Sequence, residues 1–590
     1  MTGGCNVRNT LFTSFLRTFI PQSPRMSSSN KPLSSLSLNL VRQKKAKSKK
    51  RLEKHRVKAA SEIQPDTTRV RRPYLPLGPR IEQVGQSLLP FHHSEVTELN
   101  IFELFWDPEV VNVVAEGTNA YAEAKGAGRT TPGGVAFRRP WKKVTDAEIR
   151  VFFALLIYMG AKRGGGSNSF WREKGENAAF FRAINLKGFS QIKRYLHISD
   201  PAFQLSQSEW FQKLEPISSM LQSRSQQYFR PATNITIDEI MIRFGGRSHH
   251  TYRMPSKPIT EGYKVFALCN IGYTYSWIFA SRSSSFSGLI LQEDLIPTGS
   301  TVFQLATSLP YSSSLGLHFN IYMDNYFPSQ ALLVKLRERG IGACGTARVN
   351  ASAFPPDLYD SRKNISWNEV SGGPADMEGK VLALQWQDNS SVHFLSTIHS
   401  LEDRIVSERK KPQISSGNGP AIPRSFCSHE RVKVSIPVIT NDYNRYKVGV
   451  DVADQYSSYN FTQLKCLWNW PPILFWLLDT TVINSYLLLR RISHTSTTSI
   501  NSLPSENHDY RHSSRTFRLA LSKALITAYG TRPVLPTALR SPTILVIPPL
   551  PAIVSNEITL LSHLLLAAVM STSMFTWVGL ELDVLNVGLF

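Results

Sequence analysis

The sequence predicts an α/β core set between two helical segments. Three observations carry this. Apolar residues recur at helical spacing before Asn234, β-branched and aromatic runs dominate from Asn234 to about Asn350, and helical spacing returns over residues 448–490. The middle segment runs strand, strand, strand, then strand–helix–strand, which is the order of a mixed sheet.

With 590 residues, 42% of them hydrophobic and 11% aromatic, the chain is too apolar to be wholly disordered and long enough for several domains. The five cysteines (Cys5, Cys269, Cys344, Cys427 and Cys466) are scattered without a CxxC pair. That excludes a disulfide scaffold and a paired-cysteine zinc knuckle, and makes a reducing compartment the default. The formal net charge of +23 suits a polyanionic partner. Residues 1–80 carry 18 Lys/Arg against Glu53, Glu62 and Asp66, so most of the excess sits in an arm.

The segment 1–97 reads as a disordered basic arm, rich in Ser, Pro, Lys and Arg and without an apolar period. Its run Arg42–Arg51 reads either as a nuclear-localisation or phosphate-binding patch or as a solvated tail. No acidic residue precedes Glu53, and Arg8, Arg17 and Arg25 punctuate Ser/Thr- and Phe/Leu-containing sequence, which leaves a mitochondrial transit segment as an alternative to the nucleus.

Residues 98–233 read as mostly α. Phe102, Phe105 and Trp106 begin an apolar stripe, and Thr145-Asp146-Ala147-Glu148 forms a capping box before Ile149–Met159. Further helices are expected around 180–189, 192–198 and 210–228. From Asn234 the strands Ile235–Asp238, Tyr263–Cys269, Tyr275–Ala280 and Phe319–Asp324 follow, then a helix over Ser329–Arg339 and a strand after Gly340 and Gly342. Val381–Trp386 and Val392–Thr397 predict a small β insertion on a loop-rich stalk. Helical residues 448–490 precede a Ser/Thr-rich linker, Ser493–Asn507. The tail 541–590 has no Lys or Arg, and Ile558–Leu580 is long enough to span a bilayer. It contains His563 and several Ser and Thr and lacks flanking basic residues, so a buried helix or an aberrant C-terminus fits better and a membrane partner is not expected.

Two aspartates end strand-like runs, Asp238 and Asp324. Two more, Asp451 and Asp454, are spaced i, i+3 near a helix start and so share a face. Strand-end and helical carboxylates that converge repel one another unless a cation sits between them, and hard oxygen ligands select Mg²⁺ or Mn²⁺. Two such ions activate a water and stabilise the leaving oxygen of a phosphodiester. Taken singly, each aspartate reads equally as a turn or cap residue.

The surrounding residues resemble the piggyBac-type transposases. Asp238-Glu239, Phe244-Gly245-Gly246-Arg247, Met254-Pro255, Lys257-Pro258 and Gly262-Tyr263-Lys264 are similar to the family's first catalytic block. Asp324-Asn325-Tyr326-Phe327 with Gly345-Thr346-Ala347-Arg348 resembles the second, and Val448-Gly449-Val450-Asp451 with Asp454 the third. Trp386, Asp388, Asn389 and Val392 resemble its insertion domain. Val448 stands where the family usually has glycine, and its cysteine-rich C-terminal zinc domain has no counterpart after Cys466.

The resemblance implies a ribonuclease H-like catalytic core, residues 234–352 and 431–456, with a β-rich insertion at 353–430. It implies a mostly α dimerisation and DNA-binding domain from 98–233 and 457–540. The catalytic, metal-binding residues would be Asp238, Asp324 and Asp451, with Asp454 as a further ligand, holding two Mg²⁺ or Mn²⁺. The activity would be cleavage of transposon ends in double-stranded DNA and strand transfer into TTAA targets by a homodimer. Arg243, Arg247, Arg253, Lys257 and Lys264 crowd within about twenty residues of Asp238, as a cut phosphodiester requires of nearby cations. Trp470 would stack on an unpaired base. The alternative is a domesticated or decayed transposase acting as a non-catalytic DNA-binding protein.

Overall fold

The computed structural model describes residues 71–530, apart from 79–81, 93–94, 129–140, 165–166, 173–180, 200–210, 282–288, 311–315, 349–353, 360–364, 412–425, 427–428, 467 and 496–512. The basic run Arg42–Arg51, most of the Ser/Thr-rich linker and the tail from 541 lie outside the described residues.

The first helices start where their caps dictate. α1 (Glu98–Phe105) and α2 (Pro108–Ala124) are capped by Thr97 and Asp107, whose side chains accept from Asn100 N and Val110 N. α3 (Asp146–Lys162) opens on the expected capping box, Thr145 and Glu148 bonding each other's backbone. Of the next expected helices, one forms as α4 (Leu186–Tyr195), with Asn185 as cap, and one as α5 (Ile217–Gln227).

The expected disordered arm does not reach residue 97: Arg72 N donates to Met377 O at 3.1 Å and Leu77 N to Thr397 O at 2.7 Å, and β1 (Gln86–Ser87) pairs with β2 (Phe229–Arg230) ahead of the main sheet. That sheet begins with β3 (Asn234–Arg243), β4 (Tyr252–Arg253), β5 (Glu261–Asn270) and β6 (Tyr273–Phe279). Next come α6 (Pro297–Thr307), β7 (Asn320–Met323), α7 (Gln330–Glu338) and β8 (Gly342–Thr346). β6, β5 and β3 are antiparallel neighbours, and β3, β7 and β8 are parallel. This mixed order, β6-β5-β3-β7-β8, is that of a ribonuclease H-like core.

β9 (Val370–Pro374), β10 (Leu382–Gln387) and β11 (Ser391–Ser396) supply the insertion. They do not stand apart on a stalk. β11 bonds antiparallel to β8, and the three strands extend the core sheet. The ribbon of β12 (Arg404–Lys410) and β13 (Arg431–Pro437) forms its own two-stranded sheet.

α8 (Val438–Tyr446) and α9 (Gly449–Tyr459) return the chain to the core sheet. α10 (Pro471–Thr495) and α11 (Ser514–Tyr529) then pack with the N-terminal helices, so both helical stretches and the sheet share one apolar core. Buried polar bonds fix the join. Trp106 Nε1 donates to Thr481 Oγ1 at 2.8 Å, and Asn484 bridges both backbone groups of Thr274 at 3.0 and 2.9 Å. Pro471–Ile492 is apolar and long enough to cross a membrane, but it is buried inside this body as a core helix.

Candidate active site

β3 is buried along its whole length from Asn234 to Ile242 except at Asp238, which is partly open. The strand does not end there. It continues to Arg243 against β5, whereas its parallel partner β7 stops at Met323. The last parallel pair is Ile237↔Met323, so the next residues on the two chains are Asp238 and Asp324. Their backbones are fixed locally. Asp238 accepts from Glu239 N at 2.7 Å and Asp324 from Tyr326 N at 2.9 Å.

The third segment is tied to the same strand. Gly449 N donates to Thr236 Oγ1 at 3.3 Å, and Gly449 O accepts from Gly272 N at 2.9 Å. A Cβ on Gly449 would lie 2.6 Å from Thr236 Oγ1, so glycine is what lets α9 approach β3. Position 448 has φ −82°, an ordinary backbone, and valine there costs the approach nothing. Asp451 lies exposed in the first turn of α9 and Asp454 one turn further on.

Burial dominates the electrostatics of these carboxylates. Burial pushes the Asp238 carboxyl up to about 7; Asp324 and Glu239 add to the rise, and the Glu239 N–H and Lys257 oppose it. Burial raises Asp324, as does Glu239, against the Tyr326 N–H, Lys257 and Arg348. Burial lifts Asp454 to about 6, with Asp451 adding and Lys257 opposing. Carboxylate oxygens are the donor type that a hard divalent ion takes. In this conformation, however, no three His, Cys, Asp or Glu side chains among the described residues are grouped closely enough to hold one ion.

The raised carboxyls have a testable consequence. Between about pH 4 and 7 the folded, metal-free protein keeps a proton on Asp238 that the unfolded chain has lost. Metal-free stability therefore falls as pH rises through that window, and the penalty is complete above about 7. Asp238→Asn is expected to raise the melting temperature of chelated protein at pH 8 and leave it little changed at pH 4. A melting temperature at pH 8 that is unchanged or lower would contradict this.

The expected DNA contacts divide. Arg243, Arg247 and Arg253 are exposed, and Lys257 is half-buried beside the carboxylates. Lys264 is not a surface cation. It is 6% exposed, its ammonium is 3.2 Å from Glu239 and it lies against the Phe266 and Tyr326 rings. Trp470 is 4% exposed and stacks on the His197 ring, centroids 5.3 Å apart, so it is not open to a base here. Trp468, at 44% exposure, is the open tryptophan of this segment. The Glu239–Lys264 pair was missed in the sequence. Its signal is an opposite charge set among the apolar residues of each strand, at diagonal positions of the β3–β5 register, where Glu239 faces Phe266 and Met241 faces Lys264.

The profile of the family described as Transposase IS4 matches residues 97–486, and the chain belongs to that family. Within it, the piggyBac type that the sequence resembles is borne out by its relatives. The chain is 25% identical over 387 residues to human PiggyBac transposable element-derived protein 3, covering 64% of this chain and 59% of that protein. It is 23% identical to human PiggyBac transposable element-derived protein 2, covering 67% of this chain and 62% of that protein. The chain thus spans about three fifths of the length of these relatives. Among solved structures, a piggyBac transposase synaptic complex with hairpin DNA superposes with a TM-score of 0.58 at 19% identity, over 80% of this chain and 89% of that one. That likeness is one of fold.

Proposed function

We propose that the protein is a metal-dependent DNA transposase that cleaves transposon ends in double-stranded DNA and joins them into TTAA targets. The observation that carries this reading is the adjacent placement of Asp238 and Asp324 on parallel β3 and β7, with α9 and its Asp451 and Asp454 tied to the same strand. Asp238, Asp324 and Asp451 are the ligands of two Mg²⁺ or Mn²⁺, with Asp454 supporting them. When bound, such ions activate a water and stabilise the leaving oxygen. Exposed Arg243, Arg247 and Arg253 neutralise the DNA backbone on either side of the cut. Membership of the transposase family and the fold shared with a DNA-bound synaptic complex support this reading. The protein works as a homodimer in the nucleus.

The test is strand cleavage by the purified chain, with Mg²⁺ or Mn²⁺, on duplex DNA carrying the element's own ends flanked by TTAA. Metal-dependent nicking at the ends is expected. Tight binding without nicking would instead identify a non-catalytic DNA-binding protein. The arm carries a separate expectation. Deleting residues 1–70 removes 15 Lys/Arg and is expected to lower the slope of log affinity against log salt by several units. An unchanged slope would mean that the arm does not touch DNA.

A further inference from the structure

The chain between α9 and α10 is bolted to the body at some residues and turns aromatic rings outward at others. Asn460 and Thr462 are buried. Thr462 N donates to Asp479 Oδ2 at 2.9 Å and Thr462 Oγ1 to Phe475 O at 3.3 Å, while Gln463 Nε2 donates to Arg243 O at 2.7 Å. Gly160 of α3 lets the segment lie close: a Cβ there would stand 2.7 Å from Phe461 O and 2.8 Å from Asn460 O. Yet Tyr459 is 56% exposed, Phe461 52% and Trp468 44%. Three large rings held open on a fixed backbone add little to the core, and such exposure marks a binding surface.

Charge indicates what this surface meets. Between Asp454 and Asp479 the sequence holds no acidic residue, and Lys465 and Arg243 are exposed. Arg163 places its guanidinium 5.6 Å from the centroid of the Phe461 ring and donates to Ser458 O at 2.6 Å. It does so from the C-cap of α3 with φ 37°, a left-handed position that favours glycine and that arginine occupies at a cost. Trp468 is braced edge-on by Tyr121, centroids 5.8 Å apart, and Lys125 Nζ lies 5.4 Å from the Tyr121 centroid. Open rings interleaved with cations fit a ligand that is anionic and has flat apolar faces. Duplex DNA offers the charge but keeps its faces stacked, whereas a single strand offers both. We propose that Tyr459–Trp468 is a stacking platform for single-stranded DNA, with bases on the rings of Tyr459, Phe461 and Trp468 and phosphates on Arg163, Lys465 and Arg243. Tyr459 closes α9, whose first turn holds Asp451, about 12 Å away along the helix axis. The inference rests on the proposed DNA cleavage for the source of its strand, the one left unpaired as an end is opened.

The test uses the full chain with a chelator and reads the fluorescence anisotropy of a labelled thymidine oligonucleotide, at about 0.3 M salt to weaken purely ionic contacts. A duplex of the same length is measured beside it. Phe461→Ala and Trp468→Ala are each expected to weaken single-strand binding at least about fivefold and to leave duplex binding within about twofold. Tyr459→Phe and Trp468→Phe keep a ring and should bind as the native chain does, and unchanged melting temperatures show that the alanine variants are folded. A bromodeoxyuridine oligonucleotide should cross-link to this segment under ultraviolet light. Unchanged single-strand binding in both alanine variants, or an equal loss on both DNAs, would overturn the inference. A shift of these variants from dimer to monomer, with single-strand binding unchanged, would overturn it too and assign the rings to a second copy of the chain. Because binding is read without cleavage, the two readings separate. Ring-independent binding beside metal-dependent nicking strikes this inference alone, and ring-dependent binding by a chain that never nicks strikes the cleavage reading alone.

Discussion

Asp324→Asn is expected to reduce Mg²⁺-dependent cleavage of end DNA by at least about a thousandfold, the several kcal/mol a metal-activated nucleophile supplies. Asparagine keeps the shape of the side chain and an acceptor for the Tyr326 N–H, but loses the negative charge that holds a cation. The residue sits where β7 ends beside Asp238, so the remaining carboxylates cannot close the gap from the other side. The fold should survive. Asp324 is already held up by burial and by Glu239, and removing its charge relieves the metal-free protein. Cleavage rates measured beside melting temperatures check both halves. A cleaving Asp324→Asn protein would mean that the carboxylate does not act in the reaction.

Asp479→Ala is expected to give the largest loss of stability among single substitutions in the helical body. Asp479 on α10 and Arg518 on α11 form a fully buried pair at 2.9 Å, and the same carboxylate accepts from Thr462 N at 2.9 Å. Burial raises the Asp479 carboxyl, while the Arg518 charge and the Thr462 N–H pull it back. Alanine would strand the Arg518 charge inside the core and leave a buried N–H unpaired. The cost is about 3–5 kcal/mol, typical of breaking one half of a buried pair. Denaturant unfolding measures it. Because Thr462 lies between α9 and α10, detachment of α11 and disturbed seating of α9 are both expected. A loss below about 1 kcal/mol would show that water reaches the pair.

Local signals in the sequence located the parts of the fold that local chemistry determines. The Thr145–Glu148 box marks the start of α3 because its bonds are made within four residues. The strand order and the three acidic segments were legible for the same reason, since alternation and strand-end aspartates are short-range patterns. Two features escaped because they depend on partners distant in the chain. β3 runs past Asp238 to Arg243 because β5 continues to bond it after β7 has stopped. The insertion strands join the core because β11 finds the free edge of β8. α6 was not foreseen, as Pro297, Gly299, Ser300 and Thr301 make a weak helical pattern and its Pro at the first turn is a start signal only in hindsight. Lys264 and Trp470 read as DNA contacts because residue type suggests a surface. Their burial comes from Glu239, the two rings beside Lys264, and His197.

The central claim is that Asp238, Asp324 and Asp451, from three separate segments, bind the two divalent ions together. Fe²⁺ bound in place of Mg²⁺, with ascorbate and peroxide, cuts the main chain beside its ligands and tests this directly. Cuts near residues 238, 324 and 451 together, all lost in Asp324→Asn, are the result the account predicts. Cuts confined to one segment, or unchanged in the variant, would contradict it.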